Sequence, residues 1–209
     1  MTMLTDYVLG ALAGLWSVLL ARAALRERRP SIALWGAGFA GLALASLVAG
    51  TYHGFPGSLG QSLCTRLWSF VSWTMGIASC FMLAGAILAL SSGVWRSVLL
   101  VGALLKLVAF AIVAAGQDDY AFVMLDYGSA QLAILVLAAL AWRRERAPSA
   151  PWLAAGIVVS AIGAAVPHSG LAPHEHFNHN DLYHVIQMLG LYLLYRGGAR
   201  LGFRHTHTG

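Results

Sequence analysis

Charge is what this chain has least of. Only 10% of its 209 residues are Asp, Glu, Lys or Arg, against about 25% in soluble domains. With 59% hydrophobic residues and a mean hydropathy of +0.72, that shortage excludes a soluble globular domain. It points to an integral membrane protein, because the hydrocarbon core excludes charge. Cysteine is scarce too. Cys64 and Cys80 are sixteen residues apart, about 24 Å along a helix, too far to bridge. The first apolar segment lacks a basic leader, and Asp6 sits where a signal peptide carries its positive charges. We therefore read that segment as a retained span. No repeat of 20–50 residues stands out. Gly10-x-x-x-Gly14 is a close-packing pattern, in a chain so rich in small residues that the match is expected by chance.

What is present is a series of apolar runs. Seven can be read: Leu4–Ala21, Ile32–Thr51, Leu67–Leu90, Val94–Ala115, Tyr120–Trp142, Pro151–Val166 and Leu182–Leu201. Most approach the ~20 residues that cross a ~30 Å core; the sixth is short. The breaks between them are polar, Pro-bearing or Gly-bearing, and too short for anything but antiparallel neighbours. The expectation is all-α: one seven-helix transmembrane bundle over 1–209, with no separate soluble domain.

Basic residues stay on the cytoplasmic side of a membrane. Arg22, Arg26, Arg28 and Arg29 follow span one, Arg96 follows span three, Arg143, Arg144 and Arg146 follow span five, and Arg196, Arg200 and Arg204 follow span seven. These 11 of 13 basic residues share one face, so the N-terminus is expected outside and the C-terminus in the cytoplasm of a cell with this protein in its plasma (inner) membrane. The net charge of +5 is then a topology signal, and nothing resembles a nucleic-acid groove. The other face collects Asp6, Asp118, Asp119, Asp126, Glu175 and Asp181. It also collects His53, His168, His174, His176, His179 and His184.

The densest polar stretch is His174-Glu-His-Phe-Asn-His-Asn-Asp-Leu-Tyr-His184, just ahead of the last span. His53 closes span two at the same end, so topology lets the two meet. Asp181 and His184 (i, i+3) and Asn180 and His184 (i, i+4) share a helix face, and Gln187 continues it one turn deeper. His179 and His184 are five apart, about 140° around a regular helix. They share a ligand only if His179 precedes the helix, with Asn180 or Asp181 as its N-cap. A stripe of His176, Asn180 and His184 is the alternative if the helix begins earlier. Imidazole and carboxylate suit zinc, which makes a hydroxide nucleophile from bound water. Asp181 is then a ligand, an orienter of His184, or the general base. Ser46 lies seven residues before His53 on the same face. Against all of this stands a plain alternative: loop histidines and N-caps without chemistry, with His205 and His207 a tail on the other face.

Two further ionisable residues lie inside spans. Lys106 is mid-span four and Asp126 about two turns into span five, separated by one short turn. Such groups pair or line a cavity, so a Lys106–Asp126 ion pair is expected, either structural or part of a water-lined path. Ser69, Ser72 and Thr74 read as bonded back to their own helix.

Seven spans, an outer N-terminus, a histidine closing span two and histidines opening span seven resemble the CREST superfamily of seven-helix membrane hydrolases, which takes in the alkaline ceramidases and the progestin and adiponectin receptors. The resemblance implies zinc held by one span-two and two span-seven histidines, with a Ser and an Asp nearby, and amide hydrolysis on lipids. Thr-Tyr-His53 would match the span-two element, and Asn-Asp-Leu-Tyr-His184 the end of the span-seven element. That family has His-x-x-x-His in span seven, where this chain has Asn180 four residues before His184. Ala49 stands where the family has its Ser, and no Asp opens span three.

Two functional readings follow. The first is a zinc-dependent hydrolase of a lipid amide or ester, with His53, His179 and His184 as ligands and Asp181 and Ser46 as catalytic groups. The second is a non-enzymatic membrane protein (a small transporter, sensor or assembly factor) with a polar cavity around Lys106, Asp126, Asn180, Gln187 and the outer histidines. In both, membrane lipid is the surrounding partner.

Overall fold

The structure is a computed structural model that describes residues 1–116, 119–171, 174 and 176–202. Each apolar run forms a helix, and the described residues form no named strand. The long helices are α1 (Thr2–Glu27), α2 (Pro30–Gly54), α4 (Gln61–Leu90), α5 (Gly93–Ala114), α6 (Ala121–Glu145), α7 (Ala150–Ala165) and α8 (His179–Gly198). A short α3 (Pro56–Leu59) fills the turn before α4, and a 3-10 turn, Val166–His168, extends α7. Six of the helices are long and apolar enough to cross a membrane, α7 together with its 3-10 extension among them. α8 is outside that set, because His184, Gln187 and Arg196 add to the polar first turn of His179, Asn180 and Asp181. The chain is thus a multi-pass, membrane-type helical bundle. Of the residues considered above, Asp118, Glu175, Arg204, His205 and His207 lie outside the described ones.

The helix breaks follow local chemistry. Pro30 opens α2 and Pro151 lies in the first turn of α7, positions where a missing N–H costs nothing. Successive helices run antiparallel, so arginines gather at one end of the bundle and histidines at the other. We call these the arginine end and the histidine end.

Contacts between helices close into a ring. α1 packs on α2, α2 on α4, α4 on α6, α6 on α7, α7 on α8, and α8 back on α1. α5 stays outside the ring, against α4 and to a lesser extent α6. Toward the arginine end the interior is apolar and tight, with Trp35, Phe39, Met82, Ile134, Leu153 and Leu194 fully buried. Trp35 Nε1 donates to the Leu194 carbonyl at 3.2 Å and ties α2 to α8.

Small residues permit these approaches, as they do between membrane helices generally. Of the Gly10/Gly14 pair only Gly10 is a true close contact: a Cβ there would lie 2.8 Å from Leu47 Cγ, whereas one at Gly14 would meet only Ala43 at an ordinary 3.7 Å. Gly198 is held tighter still, since a Cβ would run into the Trp35 indole. Gly198→Ala is therefore expected to cost about 1–3 kcal/mol, the usual penalty for overpacking, read as a lowered unfolding midpoint in detergent.

Candidate functional site

Asp6 sits one turn into α1, with its side chain 4% exposed. Its Oδ2 is 2.7 Å from His53 Nδ1, at the end of α2. Its Oδ1 is 3.2 Å from His184 Nε2, in the second turn of α8. One carboxylate thus bridges two imidazoles that are more than a hundred residues apart in the chain. The neighbouring Thr5 hydroxyl is 2.9 Å from His184 Nδ1 and 3.2 Å from Asp181 Oδ1. The sequence placed His53, His184 and Asp6 at one end of the bundle, and the structure joins the two histidines through Asp6, which the sequence had not linked to either. The available signal was an acid one turn inside an apolar span, which is costly unless paired.

The start of α8 decides which other histidines can join. Asn178 is the N-cap: its side chain accepts from the backbone N–H of Asn180 at 2.9 Å and of Asp181 at 3.2 Å. In return Asp181 Oδ2 accepts from the Asn178 N–H at 3.0 Å, completing a capping box. The helix therefore begins at His179, not after it. His179 is turned about 140° from His184 and does not join His53 and His184, and neither Asn180 nor Asp181 is the cap. His176 precedes the helix, so the His176–Asn180–His184 stripe does not form either. Asn180 serves the cap through its backbone N–H. Asn178→Ala should cost about 0.5–2 kcal/mol and speed amide exchange at His179–Asp181 more than elsewhere, which hydrogen-exchange measurements would register.

The candidate catalytic groups fall elsewhere. Asp181 is completely buried, with one oxygen in the capping box and the other on Thr5. It positions the helix start and touches His184 only through Thr5. Ser46 is two turns from His53, about 10 Å along α2. The structure does not bring His53, His179 and His184 together: His53 and His184 each present a nitrogen to Asp6, and His179 lies about 140° around α8 from His184. Among the described residues, no group of three or more His, Cys, Asp or Glu is arranged to hold a metal ion.

Aromatic rings flank the site. Trp68 lies 5.0 Å from Tyr52, 5.1 Å from Tyr120 and 6.1 Å from His53, centroid to centroid. Deeper in the bundle, two tyrosines each interact with a glutamine one turn later on the same helix, Tyr127 with Gln131 and Tyr183 with Gln187. The amide oxygens of both glutamines and the Ser160 hydroxyl are buried without a hydrogen-bond partner among the described residues.

The second ionisable cluster is separate. Lys106 Nζ lies 2.5 Å from Asp126 Oδ1 and 3.0 Å from Ser79 Oγ, and Ser79 donates to Asp126 Oδ2 at 2.7 Å. This closed triangle joins α4, α5 and α6. The expected pair is present, with Ser79 an unforeseen third member. Lys106 lies on α5, outside the ring, while Asn180 and Gln187 lie on α8, which makes no direct contact with α5. Ser72 bonds back to the Trp68 carbonyl at 3.1 Å, as expected for a serine in a span.

One family model, described as a family of unknown function (DUF6962), matches residues 1–202. No curated protein and no solved structure matches the chain.

Proposed function

We propose, for a chain that belongs to this family of unknown function, that it is a pH-responsive membrane protein of the transporter or sensor class. Its histidine end faces the outside of the plasma membrane. Ten described arginines at the opposite end support that orientation by the positive-inside rule. The carrying observation is the Asp6 carboxylate held between His53 and His184, with Thr5 and Asp181 behind it.

Hydrogen-bond chemistry sets what an added proton would do here. An ionised carboxylate only accepts, so the facing nitrogens carry hydrogens: Nδ1–H of His53 and Nε2–H of His184. Neutral His184 then accepts the Thr5 hydroxyl at Nδ1. Protonated His184 donates there instead, and Thr5 turns its own hydrogen toward Asp181 Oδ1 at 3.2 Å or the Thr2 carbonyl at 3.0 Å. One added proton thus rearranges bonds on α1 and α8 at once. Entry is through His53, whose side chain is 31% exposed. Histidine is the side chain whose unperturbed titration falls near neutrality. The unpartnered oxygens of Gln131, Gln187 and Ser160 support a hydrated interior beneath the site, because buried acceptors of this kind are met by ordered water.

Side-chain NMR of histidine-labelled protein tests the reading. His53 and His184 should titrate as a coupled pair, so that His53→Gln moves the His184 curve and His184→Gln moves that of His53. Independent curves would sink the proposal. Stoichiometric zinc in purified protein, lost in both His53→Ala and His184→Ala, would overturn it in favour of the lipid hydrolase that the CREST resemblance implies.

A further inference from the structure

A second feature lies at the arginine end, away from the histidine site. α5 buries only Ala103 and Phe110. Lys106 falls on that same face, so the helix is held to the bundle along one stripe. Beyond the stripe α5 splays from α6, and a cavity of about 780 Å³ opens between α4, α5 and α6. That volume is within the range of ~300–1,000 Å³ typical of small-molecule sites. Leu83 and Ile87 of α4, Val98 and Leu99 of α5, and Val136 and Leu140 of α6 make its walls. Gly102 also lines it, and a Cβ built there would find no atom within 4 Å.

The mouth has the opposite chemistry. Ser92, Arg144, Glu145 and Ser149 line it where the helices end. Ser149 is 1% exposed, and its hydroxyl does not cap α7. Ser92 likewise leaves α5 without a side-chain cap. Arg143 and Arg146 adjoin the mouth in sequence, and Arg96 clamps the Ser91 carbonyl at 2.7 and 3.0 Å. Gly202 also lines the mouth and accepts from Arg29, which pairs with Glu27, so arginines outnumber carboxylates around the rim. An apolar slot running in from a polar, cationic rim is shaped for an amphiphile with an anionic head.

We propose that this wedge binds one acyl chain of an anionic phospholipid, with the phosphate held at the rim by Arg144 and the Ser92 and Ser149 hydroxyls. The guanidinium supplies paired donors to the phosphate, and the chain fills a slot whose walls otherwise forgo their packing contacts. This site is independent of the histidine cluster.

Native mass spectrometry of the purified full chain tests it, in detergent with equal phosphatidylglycerol and phosphatidylcholine added. One phosphatidylglycerol per chain should be retained in preference. Gly102→Phe, which fills the slot without meeting another atom at its Cβ, should lower retention of both lipids several-fold. Arg144→Gln should leave a lipid bound but abolish the several-fold preference for phosphatidylglycerol. Inorganic phosphate should not compete, since the chain supplies the burial. Melting curves identify folded variants, and Gly102→Leu asks the same question with a smaller side chain. Retention unchanged in both the slot and the arginine variants would overturn the proposal. So would a dimer in the native protein that Gly102→Phe dissociates, because a second copy would then be the occupant.

Discussion

Lys106→Met is expected to destabilise the protein by about 3–5 kcal/mol, the cost of leaving one partner of a buried ion pair uncompensated. The ammonium is 2.5 Å from Asp126 Oδ1, and the Asp126 side chain is only 6% exposed. With Lys106 gone, the Asp126 carboxylate keeps only the Ser79 hydroxyl, in a medium where a lone charge is expensive. The loss should be local first. Lys106 lies on the one buried face of α5, so hydrogen exchange ought to rise in α5 before the ring helices loosen. The double variant Lys106→Met/Asp126→Leu should recover most of the stability, because an apolar pair replaces a buried ion pair at little cost. That rescue separates a structural pair from a conducting one. If the double variant is stable but the coupled titration of His53 and His184 disappears, the triangle is part of the proton response. If both properties survive, the triangle is a fastener for α5.

Much of the architecture was legible in the chain. Each of the seven apolar runs became a helix, since a long run without charge has few other ways to satisfy its backbone in lipid. The Lys106–Asp126 pair was legible for the same reason: two charges within spans, one turn apart in topology, have few other partners. The ring was not legible, because which helices neighbour each other depends on small-residue contacts such as Gly198 on Trp35. Every helix here is rich in glycine and alanine. The start of α8 was within reach. Asn178-His-Asn-Asp181 carries a capping-box pattern, which puts His179 inside the helix. The bridging role of Asp6 was hidden for a different reason: an acid near the start of an apolar span reads equally as the absence of a basic leader. A carboxylate between two imidazoles satisfies both rings without a metal, and nothing in the spacing around His184 indicates a partner 178 residues earlier.

Asp6→Asn should have the largest effect at the histidine site. The carboxylate accepts from both rings, one on each oxygen. An asparagine offers one acceptor oxygen and an NH₂ group that only donates. Whichever way the amide turns, one imidazole N–H faces another donor or its ring must change tautomer. A buried donor left without an acceptor costs about 1–3 kcal/mol, which a chemical-unfolding midpoint would register. The functional consequence is sharper than the stability loss. His53 and His184 influence one another mainly through the carboxylate between them, so Asp6→Asn should sharply weaken the coupling of their titrations even where the fold survives. Thr5→Val provides the contrast. It removes the hydroxyl between His184 and Asp181 while leaving Asp6 in place, so coupling to His53 should persist and only the link to the α8 cap should be lost. If Asp6→Asn leaves the coupling undiminished, the bridge is a structural tie between α1, α2 and α8, and the proton-binding role falls with it.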